Sequence, residues 1–202
     1  MKSIVTILLG LFICLPLMGA DKKLLRMDFK SLKALAEKGD AEAQFILGNM
    51  YAEGRGDFKE GFRWWLKAAE KGNADAQHKV GKLYSVGVVV RKNGKEAVKW
   101  NRKAAAQGHV MAQIYLGVMY QSGEYGVEKD AKEGLKWWLK AAEQGYGYAQ
   151  NKLGGMYFDG EGVEKDDKEA VKWYRKAADQ GYASAQWWLG RMYESGDGVL
   201  KD

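Results

Sequence analysis

A glycine returns along this chain at nearly even intervals, at Gly39, Gly72, Gly108, Gly145 and Gly181, with spacings of 33, 36, 37 and 36 residues. The text between the glycines returns with them. The stretch from Gly147 to Tyr182, GYAQNKLGGMYFDGEGVEKDDKEAVKWYRKAADQGY, holds two helix-length runs joined by a Gly-rich turn. A unit of this kind cannot bury its apolar face alone and must stack on copies of itself. The expected fold is therefore all-α, an array of helix-turn-helix repeats. Its units run over 41–73, 74–109, 110–146 and 147–182, with a half-unit at 183–202. Residues 21–40 precede them as an N-terminal capping helix. Its tail, Ala34 to Gly39, matches later tails such as Lys67 to Gly72. Hydrophobic residues make up 47% of the sequence, enough for such a core, and no proline follows Pro16 to interrupt a helix.

Columns within the repeats carry the packing logic. In the first helix, alanine recurs at Ala43, Ala76, Ala112, Ala149 and Ala185, each followed by a glutamine at Gln44, Gln77, Gln113, Gln150 and Gln186. Four residues after each glutamine stands Gly48, Gly81, Gly117, Gly154 or Gly190, and three further on a tyrosine, Tyr51, Tyr84, Tyr120, Tyr157 or Tyr193. A mid-helix glycine costs about 1 kcal/mol relative to alanine, so five copies imply close approach of a neighbouring helix. The alanine pairs of the second helix, such as Ala68-Ala69 and Ala141-Ala142, are the expected matching surface. Each second helix opens on Asp57, Asn93, Asp130 or Asp166, followed three residues later by Glu60, Glu96, Glu133 or Glu169. That is a capping-box pattern, in which the first side chain holds free backbone N–H groups and the Glu reaches back. Trp64, Trp100, Trp137 and Trp173 recur as the apolar anchor of that helix. The unit-ending glycines are expected in the left-handed conformation that stops a helix.

The string A-x-A-Q-x-x-L-G-x-x-Y…G-x-G-V…D…A-x-x-W-x-x-K-A-A-x-x-G resembles the Sel-one-like repeat, a relative of the tetratricopeptide repeat, over Ala41 to Asp202. The resemblance implies a right-handed α-solenoid acting as an adaptor that binds other proteins on a concave side lined by first helices. Three units depart from the pattern. The first lacks three residues between Gly56 and Asp57, the second has Val89 where a turn glycine belongs, and the third carries one extra residue in Gly123-Glu124-Tyr125-Gly126. Relatives that staple each repeat with paired cysteines are not matched. Cell-wall hydrolysis or β-lactamase-like activity, claimed for some of those relatives, is the alternative function class.

Residues Ser3 to Gly19 carry no charge, follow Lys2, and end in Gly19 and Ala20 before Asp21, Lys22 and Lys23. This is the order of a secretory signal peptide, with cleavage expected after about Ala20 and a periplasmic or secreted product. A membrane span needs about 20 apolar residues, so no stable membrane insertion is expected once the leader is removed. Cys14, the only cysteine, lies inside the leader, which leaves a mature chain with no disulfide and no thiolate metal site. Lys and Arg number 32 against 26 Asp and Glu, and Lys2 leaves with the leader, for a net of +5. The charges are interspersed rather than blocked, as on a solvated surface, and a nucleic-acid partner is not expected.

A search for chemistry finds little. His109 occupies the inter-unit loop position of Asn73 or Tyr146 and is expected to be a surface residue; His78 lies in a variable first-helix column. Neither has a recurring carboxylate partner. The Gly160-Glu161-Gly162 turn lacks the Lys-Ser/Thr of a phosphate cradle, and in Arg55-Gly56-Asp57 the aspartate is taken by helix capping. No cofactor, no metal site and no enzymatic activity are expected.

The working surface is read from what varies between repeats that share one packing task. The differing columns 42/75/111/148/184, 45/78/114/151/187, 49/82/118/155/191 and 52/85/121/158/194 fall on a single helical face, flanked by 46/79/115/152/188. The candidate partner-binding residues on it are His78, Lys82, Ile114, Tyr115, Val118, Tyr148, Lys152, Phe158, Trp187 and Arg191. Aromatic residues mixed with Arg and Lys have the composition of a protein-binding hot spot. The expected ligand is a protein or peptide, with an adaptor or an inhibitor as the role. Asp202 aligns with the capping slot Asp166, so Trp187, Trp188 and Leu189 are expected to keep apolar surface for self-association or for a longer array.

Overall fold

The computed structural model describes residues 24–199. The leader at 1–20 and the capping slot at Asp202 lie outside the described residues. A short 3-10 turn, Leu24–Arg26, precedes α1 (Phe29–Glu37). Four helix pairs follow: α2 (Ala41–Asn49) with α3 (Phe58–Glu70), α4 (Ala74–Val86) with α5 (Gly94–Ala106), α6 (Val110–Ser122) with α7 (Ala131–Glu143), and α8 (Gly147–Asp159) with α9 (Asp167–Ala178). A single first helix, α10 (Ala183–Ser195), comes last. Each helix packs on the one before it and the one after it, and the first helices α8 and α10 also touch directly. This is an all-α solenoid, with α1 standing where the second helix of a preceding unit would be.

Capping sets the second helices. Asp57, Asn93, Asp130 and Asp166 each accept the backbone N–H three residues on, from Glu60 at 3.0 Å, Glu96 at 3.2 Å, Glu133 at 3.0 Å and Glu169 at 3.0 Å. The expected return half of the box is not made. Instead Arg63, Lys99, Lys136 and Lys172, one turn later, donate to Glu60, Glu96, Glu133 and Glu169. A cation at i+3 competes for the carboxylate, and four exposed pairs of this kind neutralise the outer surface locally. Asp130→Ala should therefore cost about 1 kcal/mol, read as a lower denaturant midpoint with unchanged slope.

The four recurring tryptophans are buried along the second helices, each with a lysine ammonium over its indole: Lys67 at 4.1 Å, Lys103 at 4.4 Å, Lys140 at 4.4 Å and Lys176 at 4.3 Å. The residue after each tryptophan answers the mid-helix glycine. A Cβ on Gly48 would sit 2.5 Å from the Trp65 ring, one on Gly117 would sit 2.8 Å from Trp138, and one on Gly154 would sit 2.6 Å from Tyr174. Gly48, Gly117 and Gly154 thus make room for an aromatic ring of the second helix, Gly81 for the Asn101 side chain, and the alanine pairs are not their partners. At the end of each unit the chain reverses through a left-handed glycine, such as Gly72 with φ 98°.

The invariant glutamines turn out to be the seam between units. Gln44, Gln77, Gln113, Gln150 and Gln186 donate to the carbonyls of Ala36, Ala69, Ala105, Ala142 and Ala178, the freed ends of the preceding helices, at 3.0–3.2 Å. Gln107, Gln144 and Gln180 in turn donate to the side-chain oxygens of Gln77, Gln113 and Gln150 at 2.7–2.8 Å. Each of these alanine carbonyls also accepts the backbone N–H of the unit-ending glycine three residues on, at 2.9–3.1 Å, so the glutamine adds a second bond that ties each unit to the helix before it.

Candidate functional site on the first-helix face

The variable face is half packing surface and half open. Its N-terminal part is closed: Phe45, Ile46 and Ala52 are buried in inter-helix clusters. Asn49 accepts both the Trp65 indole N–H at 3.0 Å and the Lys79 ammonium at 2.9 Å, while Glu53 holds the same ammonium at 2.9 Å. Among the candidate residues, Ile114 must be corrected. It is only 7% exposed, packed among Leu135, Trp138, Ala141 and Leu153, and Val118 leans half-buried on the same cluster. Both fill space between α6, α7 and α8, so their variation follows the neighbours they pack on.

A polar cluster occupies the middle, where Asn101 stands in place of the second-helix aromatic. Asn101 donates its amide to the Ala97 carbonyl at 2.8 Å, leaving its own oxygen to accept the Nδ1–H of His78 at 2.7 Å. His78 also meets the ring of Tyr115 edge-on at 5.7 Å and the ring of His109 at 5.0 Å. Burial holds the His78 imidazole neutral, with its pKa pushed down to about 4; Lys82 and His109 nearby act in the same direction, against the Asn101 bond and Asp75. Tyr115 shares a very short hydrogen bond with Ser85 and packs on Tyr125, and burial raises its phenol pKa. Tyr125 is the extra residue of the third unit and takes φ 60°, which a non-glycine residue rarely adopts. His109 is not a free surface residue. Its Nδ1 accepts the Ala112 N–H at 3.0 Å as the N-cap of α6, and its Nε2 lies 3.1 Å from Asp75.

The open part lies on α6, α8 and α10. Tyr148 is 36% exposed, packs edge-on against Trp138 at 5.7 Å, and has the half-buried Lys152 ammonium 5.9 Å from its ring. Trp187 is 55% exposed, with the Arg191 guanidinium 5.3 Å from its ring. Trp188 is covered within the chain, stacked on Tyr174 at 6.1 Å and against the half-buried Phe158 at 5.3 Å, and Leu189 packs in the same cluster. The apolar surface expected at this end is therefore mostly that of Trp187. Met111 and Tyr146 add exposed apolar area alongside, and Lys82 is exposed on α4. The structure thus brings Tyr148, Lys152, Trp187 and Arg191 to the open surface, keeps Phe158 half-covered, and turns His78 and Tyr115 toward one another. Met111 stands in the same variable column as Tyr148 but is not among the candidate residues, and Tyr146, in the inter-unit loop position, lies outside the variable columns.

The Ser85 hydroxyl bonds to Tyr115 and to the Lys82 carbonyl. Among the described residues no group of three His, Cys, Asp or Glu side chains could hold a metal ion, and no helix is long and apolar enough to cross a membrane. A cleft of about 500 Å³ lies away from the variable face, lined by Ala36, Glu37, Gln44, Trp64, Lys67, Glu70 and Lys71.

A stack of helix pairs with a variable first-helix face defines a class, the α-solenoid scaffolds. The Sel1 repeat family model matches at 41–73, 74–109, 110–146, 147–182 and 183–202, and the chain belongs to that family. It is a repeat scaffold of the kind typical of protein–protein interaction and generally non-enzymatic. Among solved structures, it is 40% identical to a protective antigen present in uropathogenic Escherichia coli strains that displays an SLR fold, with a TM-score of 0.81, covering 87% of this chain and 38% of that one. A Sel1 repeat protein from Oxalobacter formigenes is 37% identical with a TM-score of 0.78, covering 86% of this chain and 72% of that one. The chain thus spans well under half the length of the E. coli antigen. No individual curated protein matches it.

Proposed function

We propose that this chain is exported by its N-terminal leader and acts in the periplasm or outside the cell as a scaffold. It binds a protein partner through the concave first-helix face, as an adaptor or as an inhibitor of the immunity type. The observation that carries this reading is the exposed aromatic and cationic surface of Tyr148, Lys152, Trp187 and Arg191, gathered from α8 and α10. Each of the four unit second helices, by contrast, pairs the glutamate of its first turn with a cation three residues on. An exposed apolar patch rimmed by charge on a self-satisfied scaffold is the usual mark of a protein interface.

The test is affinity capture from the protein's own envelope extract. The recovered bait should have the mass of a chain beginning at Asp21. A partner retained by the wild type should be lost from Tyr148→Ala and Trp187→Ala, each weakening binding by about 1 kcal/mol or more, while the melting temperature stays unchanged. A bait that keeps its leader would reject export, and a partner indifferent to both substitutions would reject this face. Turnover of peptidoglycan fragments or β-lactams that a point substitution abolishes would replace the scaffold with an enzyme.

A further inference from the structure

The charge on this face is lopsided in a way that the rest of the molecule is not. In the N-terminal units the first-helix carboxylates are occupied: Glu42 accepts from Asn73 at 2.8 Å, Glu53 pairs with Lys79, and Asp75 pairs with His109. The next three first helices carry almost none. Helix α6 has no Asp or Glu, α8 has none before its last residue, Asp159, and α10 has none before Glu194 near its end. Over the same span no carboxylate among the described residues pairs with Lys152 or Arg191, and on α4 none pairs with Lys82. Lys152 lies beside the exposed ring of Tyr148 and Arg191 beside that of Trp187, and Lys165 caps the Phe158 ring at 4.9 Å on the edge of the same surface.

Resting on the protein-docking reading above, we propose that the segment seated here is an acidic stretch of polypeptide, its carboxylates meeting Lys152 and Arg191 and an apolar side chain resting on Tyr148 and Trp187. A carboxylate brought to Arg191 beside Trp187 gains a charge-assisted hydrogen bond next to a ring that excludes water, where such a bond is stronger than at an open surface. The cations cost little to recruit because no internal carboxylate has to be displaced. A polyphosphate chain is the poorer match. Nucleic-acid binding draws its affinity from many backbone neutralisations, whereas this face offers a few separated cations interrupted by apolar rings.

The experiment pans a phage-displayed random peptide library against the full chain and measures the recovered peptides by fluorescence anisotropy. Peptides rich in Asp and Glu beside an aromatic or aliphatic residue are expected, binding more weakly as salt rises. The double variant Lys152→Gln/Arg191→Gln, with its melting temperature unchanged, should bind them roughly tenfold less tightly, a difference of about 1.4 kcal/mol. Recovered peptides that are neutral or basic, depend on Tyr148 and Trp187, and ignore both salt and the double variant would overturn the acidic chemistry while leaving the docking face standing. A single-stranded oligonucleotide that binds this face more tightly than any peptide would overturn it too. A selection yielding no peptide sensitive to Tyr148→Ala or Trp187→Ala would reject the inference together with the face it rests on.

Discussion

Replacing Gly117 with leucine is expected to be among the most damaging single changes in this chain, and replacing Gly190 with alanine among the least. The two glycines hold the same column, two units apart. At Gly117 a Cβ alone would meet three atoms of the Trp138 ring at 2.8–2.9 Å, and Trp138 is fully buried with no room to withdraw. At Gly190 nothing lies within 4 Å. Gly117→Leu must push α6 and α7 apart, a cost of about 1–3 kcal/mol or more. Over most of that range it exceeds the roughly 1 kcal/mol gained by removing a helical glycine. A fall in melting midpoint of roughly 5–10 °C should follow for a chain of this size. Gly190→Ala has only the propensity gain and should hold or raise the midpoint. Thermal melts of the two variants side by side check this, and equal damage from both would mean that the column is needed for something other than the ring behind it.

The second large effect is an acid sensitivity lodged at His78. Its imidazole is neutral in the fold, with a pKa of about 4, whereas the unfolded chain offers an ordinary histidine near 6.5. The unfolded state therefore takes up the proton first as pH falls. The stabilisation tied to a neutral His78 is complete above 6.5 and is drained progressively down to about 4. Its ceiling, allowing for the part of the ring that solvent reaches, is about 2–3 kcal/mol. The groups facing His78 are Asn101, Tyr115, His109, Lys82 and Asp75. Carboxylates across the molecule also titrate at the acid end, so the useful quantity is a difference. Denaturant melts of wild type and His78→Gln across this window should converge as pH falls, because glutamine can still donate to Asn101 but has no proton to gain. Parallel curves would show that the imidazole is charged in the fold or unimportant to it.

What could be read from residues alone follows a physical division. Columns that repeat without change answer a demand made identically in every unit, so their roles are legible: burial for the tryptophans, capping for the Asp and Asn, chain reversal for the unit-ending glycines. The family, and with it the solenoid, followed from the same columns. Columns that change were taken as free of packing, and that inference holds only where no neighbour changes with them. In the second unit Asn101 replaces an aromatic, and His78 arrives from another helix to bond it. In the third unit Ile114 is large because it closes on Leu135 and Trp138. Compensation of this kind joins residues far apart in sequence, so variation within one column does not reveal it. The same limit hid the capping role of His109, whose imidazole does in this unit what Asn73 does in another. Tyr148, Trp187 and Arg191 vary with no such counterpart and stand exposed.

The glutamine relay also settles where this scaffold can be lengthened. Gln107 and Gln113, Gln144 and Gln150, and Gln180 and Gln186 bracket the last three junctions from a second helix to the next first helix at one constant separation. Adding or removing a residue there would pull a donor off a buried carbonyl in the core. The turn from first to second helix is under no such tie. There the first unit runs three residues short, ending α2 in a wide π-helical turn at Met50–Gly54, and the third runs one long, absorbing the surplus by placing Tyr125 at positive φ. Grafted loops, tags or binding inserts therefore belong on the edge that carries those turns, and the opposite edge has to keep its length.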